Sequence, residues 1–132
     1  MAVERQREYE TIYILRPDAN DDDQSEARER FEGVLEDYDG HVLTFDDWGR
    51  RELAYEILDS TSGQRFDRGR YHYFRYIGPG GVVSELERNL KLLDPVIKFL
   101  TVKLDDDLIP KERLARSEDE EPEVLPYQAE EE

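Results

Sequence analysis

The chain of 132 residues contains no cysteine. This absence excludes disulfides, thiolate metal sites and cysteine nucleophiles. Long apolar runs are missing as well, and no stretch approaches the length of a signal-peptide core or a membrane span. The length allows one domain with a core of its own and is too short for two domains of ordinary size. We therefore expect a soluble, cytoplasmic, single-domain protein that has no membrane partner.

Recognisable catalytic motifs are also missing. The two histidines, His41 and His72, lie in separate predicted strands without a serine or carboxylate at motif spacing. The glycine-rich turn at residues 78–81 precedes a predicted helix, but it lacks the lysine and the Ser/Thr of a phosphate loop. We therefore predict no enzymatic activity, no metal site, no cofactor and no small-molecule substrate.

Positive charge is scarce, with 18 Lys and Arg against 34 Asp and Glu and a net charge of −16. A strongly acidic chain opposes phosphate binding, which depends on Lys and Arg displacing counterions. The charge is unevenly distributed, however. Residues 1–47 carry 5 basic and 15 acidic side chains, residues 48–104 carry 10 and 7, and residues 105–132 carry 3 and 12. The middle of the chain is therefore the candidate region for nucleic-acid contact.

The hydrophobic periodicity predicts six elements in the order β-α-β-β-α-β. In chain order these are a strand at 8–16, a helix from Asn20 to near Gly40, a bent strand at 41–58, a turn at 60–69 with a strand at 71–77, a helix starting at Pro79, and a strand at 96–104. This order is the split βαβ, or ferredoxin-like, arrangement of the α+β class. Right-handed crossovers place both helices on one face of a four-stranded antiparallel sheet and leave the other face available for binding.

Residues 105–132 are almost purely acidic and polar. Such a segment has too little apolar surface to offset the entropy of ordering. We predict a ferredoxin-like domain at 1–104 and an acidic, largely disordered tail at 105–132, with at most a short docked piece near 108–114.

A basic and aromatic stretch lies at 65–76, where Arg65, Arg68 and Arg70 precede several aromatic residues. Single-stranded RNA binders use this composition for phosphate contact and base stacking. The alternative is that the rings pack against the helices. RNA-recognition-motif proteins share this element order and carry an aromatic signature on the third strand, but Arg70 occupies one of its aromatic positions.

Two adjacent arginines, Arg50 and Arg51, follow Trp48 and Gly49, where the predicted strand bends and restarts. Successive strand residues point to opposite faces, so at least one arginine is expected to project away from the helices. A guanidinium group suits phosphate oxygens. The alternative is a surface ion pair with a neighbouring carboxylate, which stabilises little.

Four runs, at 9–18, 47–57, 85–88 and 94–98, together resemble the ribosomal protein S6 family of the bacterial small subunit. The resemblance spans roughly residues 8–104. It implies a ferredoxin-like, non-catalytic, structural protein of the small ribosomal subunit that joins the central domain of 16S rRNA as a heterodimer with ribosomal protein S18.

The resemblance also implies site residues. Arg50 and Arg51 match the family's Trp-Gly-Arg-Arg-x-Leu-Ala-Tyr motif and are the first candidates for the RNA or partner surface, followed by Arg88, Lys91 and Lys98. Arg65, Arg68 and Arg70 are possible additional RNA contacts, because the loop at 59–69 looks longer and more basic than is usual in the family.

Two other functions remain open on sequence grounds. The first is an independent single-stranded RNA-binding module that uses the 65–76 stretch on a sheet like that of the RNA-recognition motif. The second is a small-ligand regulatory domain with the same topology, although the sequence contains no ligand motif. Fold alone does not separate these functions.

Overall fold

The computed structural model describes residues 5–110 and 113–114. Its elements are β1 (Gln6–Leu15), α1 (Asp21–Asp37), β2 (His41–Leu58), β3 (Arg65–Gly78), α2 (Val82–Leu92) and β4 (Val96–Leu108). The strands form one antiparallel sheet in the order β2-β3-β1-β4. The predicted element order and sheet are therefore confirmed. Neither described helix is long and apolar enough to cross a membrane.

The two helices begin differently. At α1 the Asn20 side chain accepts a hydrogen bond from the Asp23 amide (2.8 Å), while the Asp23 carboxylate accepts one from the Asn20 amide (3.2 Å). This reciprocal capping satisfies two amides that have no partner inside the helix. The second helix begins at Val82 rather than at the predicted Pro79, because the Pro79 carbonyl accepts the Val82 amide in a separate turn (3.1 Å).

One face of the sheet forms the main core with both helices. Phe74 of β3 stacks on Phe31 of α1 with ring centroids 4.2 Å apart, and Tyr13 and Tyr76 are buried beside them. His72 belongs to the same face, where its Nδ1 lies 2.9 Å from the hydroxyl of Tyr13. The even-numbered residues of β3 from His72 to Tyr76 are thus the ones that pack against the helices.

We call the opposite side of the sheet the open face, because neither α1 nor α2 covers it. It carries a smaller apolar cluster of Ile12, Ile14 and Tyr73, against which Trp48 packs. Strand alternation places Glu8 and Glu10 of β1 on this side as well. Because Ile12 and Ile14 lie on the open face and Tyr13 lies in the main core, both faces of β1 are apolar at their centre, as the sequence predicts for a central strand.

The hairpin of β2 and β3 is longer than predicted. The turn predicted at 60–69 is wrong in extent, because β3 already begins at Arg65 and the ladder pairs Leu58 with Arg65. The Asp59 carboxylate holds the shorter turn by accepting from the Thr61 amide (3.2 Å) and the Ser62 hydroxyl (2.8 Å). The basic residues of the predicted loop are consequently strand residues at fixed positions.

The chain returns to the sheet at its C-terminal end. β4 continues to Leu108, past the domain boundary predicted after Leu104, and Leu108 is buried. The Arg113 guanidinium donates to both carboxylate oxygens of Glu8 (2.7 and 3.1 Å), and Arg75 donates to the same carboxylate (2.6 Å). The rest of the predicted tail, at 115–132, lies outside the described residues.

These ion pairs control the ionisation of Glu8. Burial alone would raise the pKa of this carboxyl, but the hydrogen bonds and positive charges of Arg113 and Arg75 together lower it below its ordinary value. Glu8 therefore stays ionised in the folded protein, and its stabilising contribution depends on both arginines.

We predict that Arg113→Ala lowers the free energy of unfolding by about 2 kcal/mol, because breaking a buried ion pair is costly and Arg75 compensates only part of the remaining charge. Arg88→Ala removes an exposed pair with Glu85 and serves as the control, with a much smaller expected loss, because exposed ion pairs stabilise little. The measurement is urea unfolding of parent and variants at several pH values.

The pH dependence supplies a second check on Arg113. A carboxyl with a lowered folded pKa stabilises the protein above its unfolded pKa of about 4.5, and this stabilisation is lost as the pH falls through the folded value. The stability gap between the parent and Arg113→Ala should therefore narrow in acid. A gap that is equal for the two arginine variants, or constant with pH, would contradict the assignment.

Candidate RNA and partner interface

The two adjacent arginines lie on opposite faces, as successive strand residues do, and a β-bulge decides which of them lies on the open face. Asp47 pairs with His72 and Gly49 with Tyr71, so Trp48 is an extra residue in β2, and Gly49 takes φ +78. The bulge sends Trp48 and Arg51 to the open face. The predicted bend in the strand is therefore present, and one arginine of the pair points away from the helices, as predicted.

Arg51 is held by an aromatic stack on the open face. Its Nε donates to the carbonyl of Trp48 (3.1 Å), and its guanidinium lies 5.0 Å from the centre of the Trp48 ring. Trp48 in turn lies flat on Tyr73, with centroids 5.2 Å apart and an interplanar angle of 10°. Arg51 thus has a structural role in covering these rings, in addition to any role in binding.

Arg50 lies on the other side of the hairpin, in what we call the basic strip: Arg50, Arg68 and Arg70. Arg50 and Arg70 are direct neighbours across the ladder, and Arg68 follows on the same side of β3. Like charges directly opposite each other destabilise a sheet. The Asp47 carboxylate is 3.9 Å from Arg70 and offsets part of this repulsion. An anion such as phosphate would offset the rest. Arg65, the first residue of β3, is exposed, and strand alternation places it on the opposite side of β3 from Arg68 and Arg70.

A groove on the open face contains Lys98. Residues 53–56 leave the β2–β3 ladder, and the Tyr55 hydroxyl accepts a hydrogen bond from the Lys98 ammonium of β4 (3.0 Å). This bond and the charge of Lys98 lower the pKa of Tyr55. The groove has a volume of about 330 Å³ and is lined by Ile12, Ile14, Leu53, Tyr55, Tyr71 and Leu100 besides Lys98.

Arg88 and Lys91 lie elsewhere, on the surface of α2. Arg88 donates twice to the Glu85 carboxylate (3.1 and 2.6 Å), and Lys91 is exposed in the last turn. The structure therefore divides the predicted site residues among three places: the open face with Arg51 and Lys98, the basic strip, and α2.

An exposed apolar strip on β4 was missed by our sequence reasoning. Leu100 and Val102 lie on the open face with exposed fractions of 56% and 43%, next to Leu104 at 38%. The available signal was that both alternating sets of residues in the last strand contain apolar side chains. β4 is also an edge strand, and a long apolar edge favours pairing with another chain.

The aromatic residues of the 65–76 stretch are largely covered. Phe74 and Tyr76 lie in the helix-side core, and Tyr73 is only 2% exposed beneath Trp48. Tyr71 is half-buried below Arg51, with the guanidinium 6.0 Å from its ring centre. Core packing is therefore the better interpretation of these rings than base stacking.

His72 is a core residue of the same stretch. Burial lowers its pKa to about 4, despite the nearby Asp47 carboxylate, so the ring is neutral at physiological pH. Its hydrogen bond to Tyr13 lies inside the core. This geometry gives His72 a packing role.

Comparisons with known proteins agree over most of the chain. Residues 8–103 match the sequence family described as ribosomal protein S6. A small ribosomal subunit protein bS6 from Desulforapulum autotrophicum is 42% identical over 105 residues, which cover 80% of this chain and 64% of that protein. The bS6 protein of Trichlorobacter lovleyi is 40% identical, with 83% of each chain covered. The chain thus spans less than two thirds of the Desulforapulum protein.

Two solved structures share the fold. The 30S ribosomal protein S6 of Thermotoga maritima superposes with a TM-score of 0.64 at 22% identity, covering 87% of this chain and 99% of that one. The C-terminal domain of the MgtC protein from Mycobacterium tuberculosis gives 0.53 at 13% identity, covering 80% and 95%. At these identities, the structures show that the fold is shared and show nothing more.

We predict that the two adjacent arginines differ in their effect on stability. Arg51→Ala should lower the free energy of unfolding by about 1 kcal/mol, because it removes a cation–π contact and a hydrogen bond. Arg50→Ala should change it by less than about 0.5 kcal/mol, as for an exposed side chain away from such contacts. Thermal unfolding of the two single variants is the measurement. Equal effects would contradict the division of the pair between the two faces.

Proposed function

The chain belongs to the ribosomal protein S6 family and is therefore a protein of the small ribosomal subunit, and we propose that it joins the central domain of 16S rRNA as a heterodimer with ribosomal protein S18. Its role there is structural rather than enzymatic. The observation that carries this proposal is the separation of an apolar open face from a basic strip on the other side of the hairpin.

The open face has the character of a protein interface. Leu100 and Val102 are exposed beside an apolar groove, and Lys98 and Tyr55 supply polar groups at its edge. Apolar patches rimmed by polar groups are typical of protein-binding surfaces. A net charge of −16 attracts a basic partner, which speeds association. We therefore assign the open face to S18.

The basic strip has the character of a phosphate contact. Arg50, Arg68 and Arg70 are held at fixed positions by the β2–β3 ladder, and guanidinium groups bind phosphate oxygens in a bidentate manner. We assign this side of the hairpin to the RNA, and the basic partner would supply much of the remaining counterion release.

The alternatives fit the structure less well. A stand-alone RNA-binding module needs exposed rings for base stacking, but Tyr73 lies beneath Trp48 and Phe74 lies in the core. A small-ligand domain has a groove of suitable volume, about 330 Å³. That groove is mostly apolar, however, and Lys98 with Tyr55 provides its main polar pair.

We predict that binding to the RNA depends on the partner. A fragment of the 16S rRNA central domain should be retained weakly by this chain alone and at least about tenfold more tightly when S18 is present, because the acidic chain lacks sufficient cations. Filter binding at fixed salt measures both cases. Equal, tight binding without S18 would overturn the heterodimer proposal and favour the independent module.

Two double variants separate the surfaces. Arg50→Ala with Arg68→Ala should weaken RNA binding by the heterodimer about tenfold and lower its salt dependence, while S18 binding is retained. Leu100→Ser with Val102→Ser should weaken S18 binding in the absence of RNA. Arg88→Ala with Lys91→Ala removes the same charge from α2 and is the matched control. A larger loss of RNA binding from the α2 control would show that the helix side faces the RNA.

A further inference from the structure

The chain already covers one end of its own open face. Glu8 and Ile77 are neighbours across β1 and β3 on this side, and both are buried, with exposed fractions of 2% and 0%. Arg113 reaches Glu8 from the C-terminal turn, where its amide bonds the Ile109 carbonyl (3.0 Å), and its own side chain is 2% exposed. The buried ion pair thus fixes the C-terminal end of the described chain against the open face.

The sequence beyond this anchor has a specific composition. Eighteen residues follow Leu114, and among them eight are acidic and one is basic. Their main apolar group is the tetrad Val124-Leu125-Pro126-Tyr127, with acidic residues at 118–121 and 123 before it and at 130–132 after it. An apolar tetrad between acidic runs suits an apolar site that has cations at its edge.

The groove on the open face has these properties. It is lined by apolar side chains of β1, β2 and β4, and Lys98 lies at its edge. Arg51 lies over Tyr71, which lines the same groove. Both the apolar lining and the positive edge therefore complement the tetrad and its flanking carboxylates.

The tail is also long enough for the tetrad to reach the groove from the Arg113 anchor. Ile12 lies four residues beyond Glu8 along β1, which corresponds to about 13 Å in a strand. The ten residues from 115 to 124 can span up to about 33 Å when extended. The tetrad can consequently reach the groove without displacing Arg113.

We propose that Val124–Tyr127 dock in the open-face groove of the same chain, with Arg113 as the anchor that directs the segment there. The sheet provides the apolar surface for this docking, so the docking does not require the tail to have a core of its own. If the proposed function is correct, the tetrad and S18 exclude each other from the open face. The tail then limits premature pairing of this chain with S18.

The test uses the absence of cysteine from the 132-residue chain. A nitroxide attached at Gln128→Cys should broaden the amide signals of Ile12 and Leu100 strongly, relative to a diamagnetic label, and should leave α2 amides unaffected. Adding Val124→Ser with Leu125→Ser should reduce this broadening by at least half. The matched control, Pro122→Ser with Ala129→Ser, changes two residues outside the tetrad and should preserve it.

The outcomes are distinct. Absence of broadening at the groove, or broadening that survives the tetrad change, would overturn the docking. A second measurement concerns competition: the tetrad variant should bind S18 at least threefold more tightly than the parent and the control. If S18 binds none of these proteins, the proposed function fails while the label experiment still decides the docking. If S18 binds all of them equally, the exclusion is wrong.

Discussion

A central sheet with both helices on one side imposes the main constraint on this protein. The two right-handed crossovers put α1 and α2 on the same face, so the residues on the other face of β1 and β3 must be covered by something else. Part of that cover is internal: Trp48 lies on Tyr73, Arg51 lies on Trp48, and the C-terminal turn reaches Glu8. The remaining apolar surface, at Leu100 and Val102, is exposed, and we propose that another molecule binds there.

The same constraint organises the charges. β2 and β3 extend past the Leu15 end of β1, and from the pair of Leu15 with Arg70 onward the side of the hairpin that carries Arg50, Arg68 and Arg70 presents guanidinium groups instead of core residues. The acidic residues are concentrated before residue 48 and after residue 104. A strongly acidic chain can therefore present a local basic surface, and because surface charges are screened over roughly 10 Å at 0.1 M salt, the local arrangement matters more than the net charge at close range.

The fold was largely predictable, because it depends on local patterns that the sequence shows directly. Asn20 and Asp23 signalled the start of α1, and the double alternation of β1 indicated a strand buried on both faces. The predictions of the fold that were wrong concern places where tertiary contacts prevail over local patterns. The turn at 60–69 looked polar and loop-like, yet pairing with β2 makes Arg65 and Arg68 strand residues. Likewise, no periodicity could reveal that Arg113 pairs with Glu8, a residue 105 positions away.

The site was predictable in part. The sequence singled out Arg50 and Arg51 correctly as neighbours at a bend, but the bulge at Trp48 decides which of them lies on the open face, and a bulge depends on register between strands. Proximity of Lys98 to Tyr55 requires residues 53–56 to leave the ladder, which is again a long-range effect.

Amide hydrogen exchange in the assembled small subunit distinguishes the proposed binding surfaces from the two helices, because it reports on all of them in one experiment. Compared with the isolated chain, we expect strong additional protection at 98–102 on β4 and at 65–70 on the hairpin, with little change at the exposed residues of α2. Additional protection confined to α1 and α2, with β4 and the hairpin unchanged, would show that the helices form the binding surface and that both surface assignments are wrong.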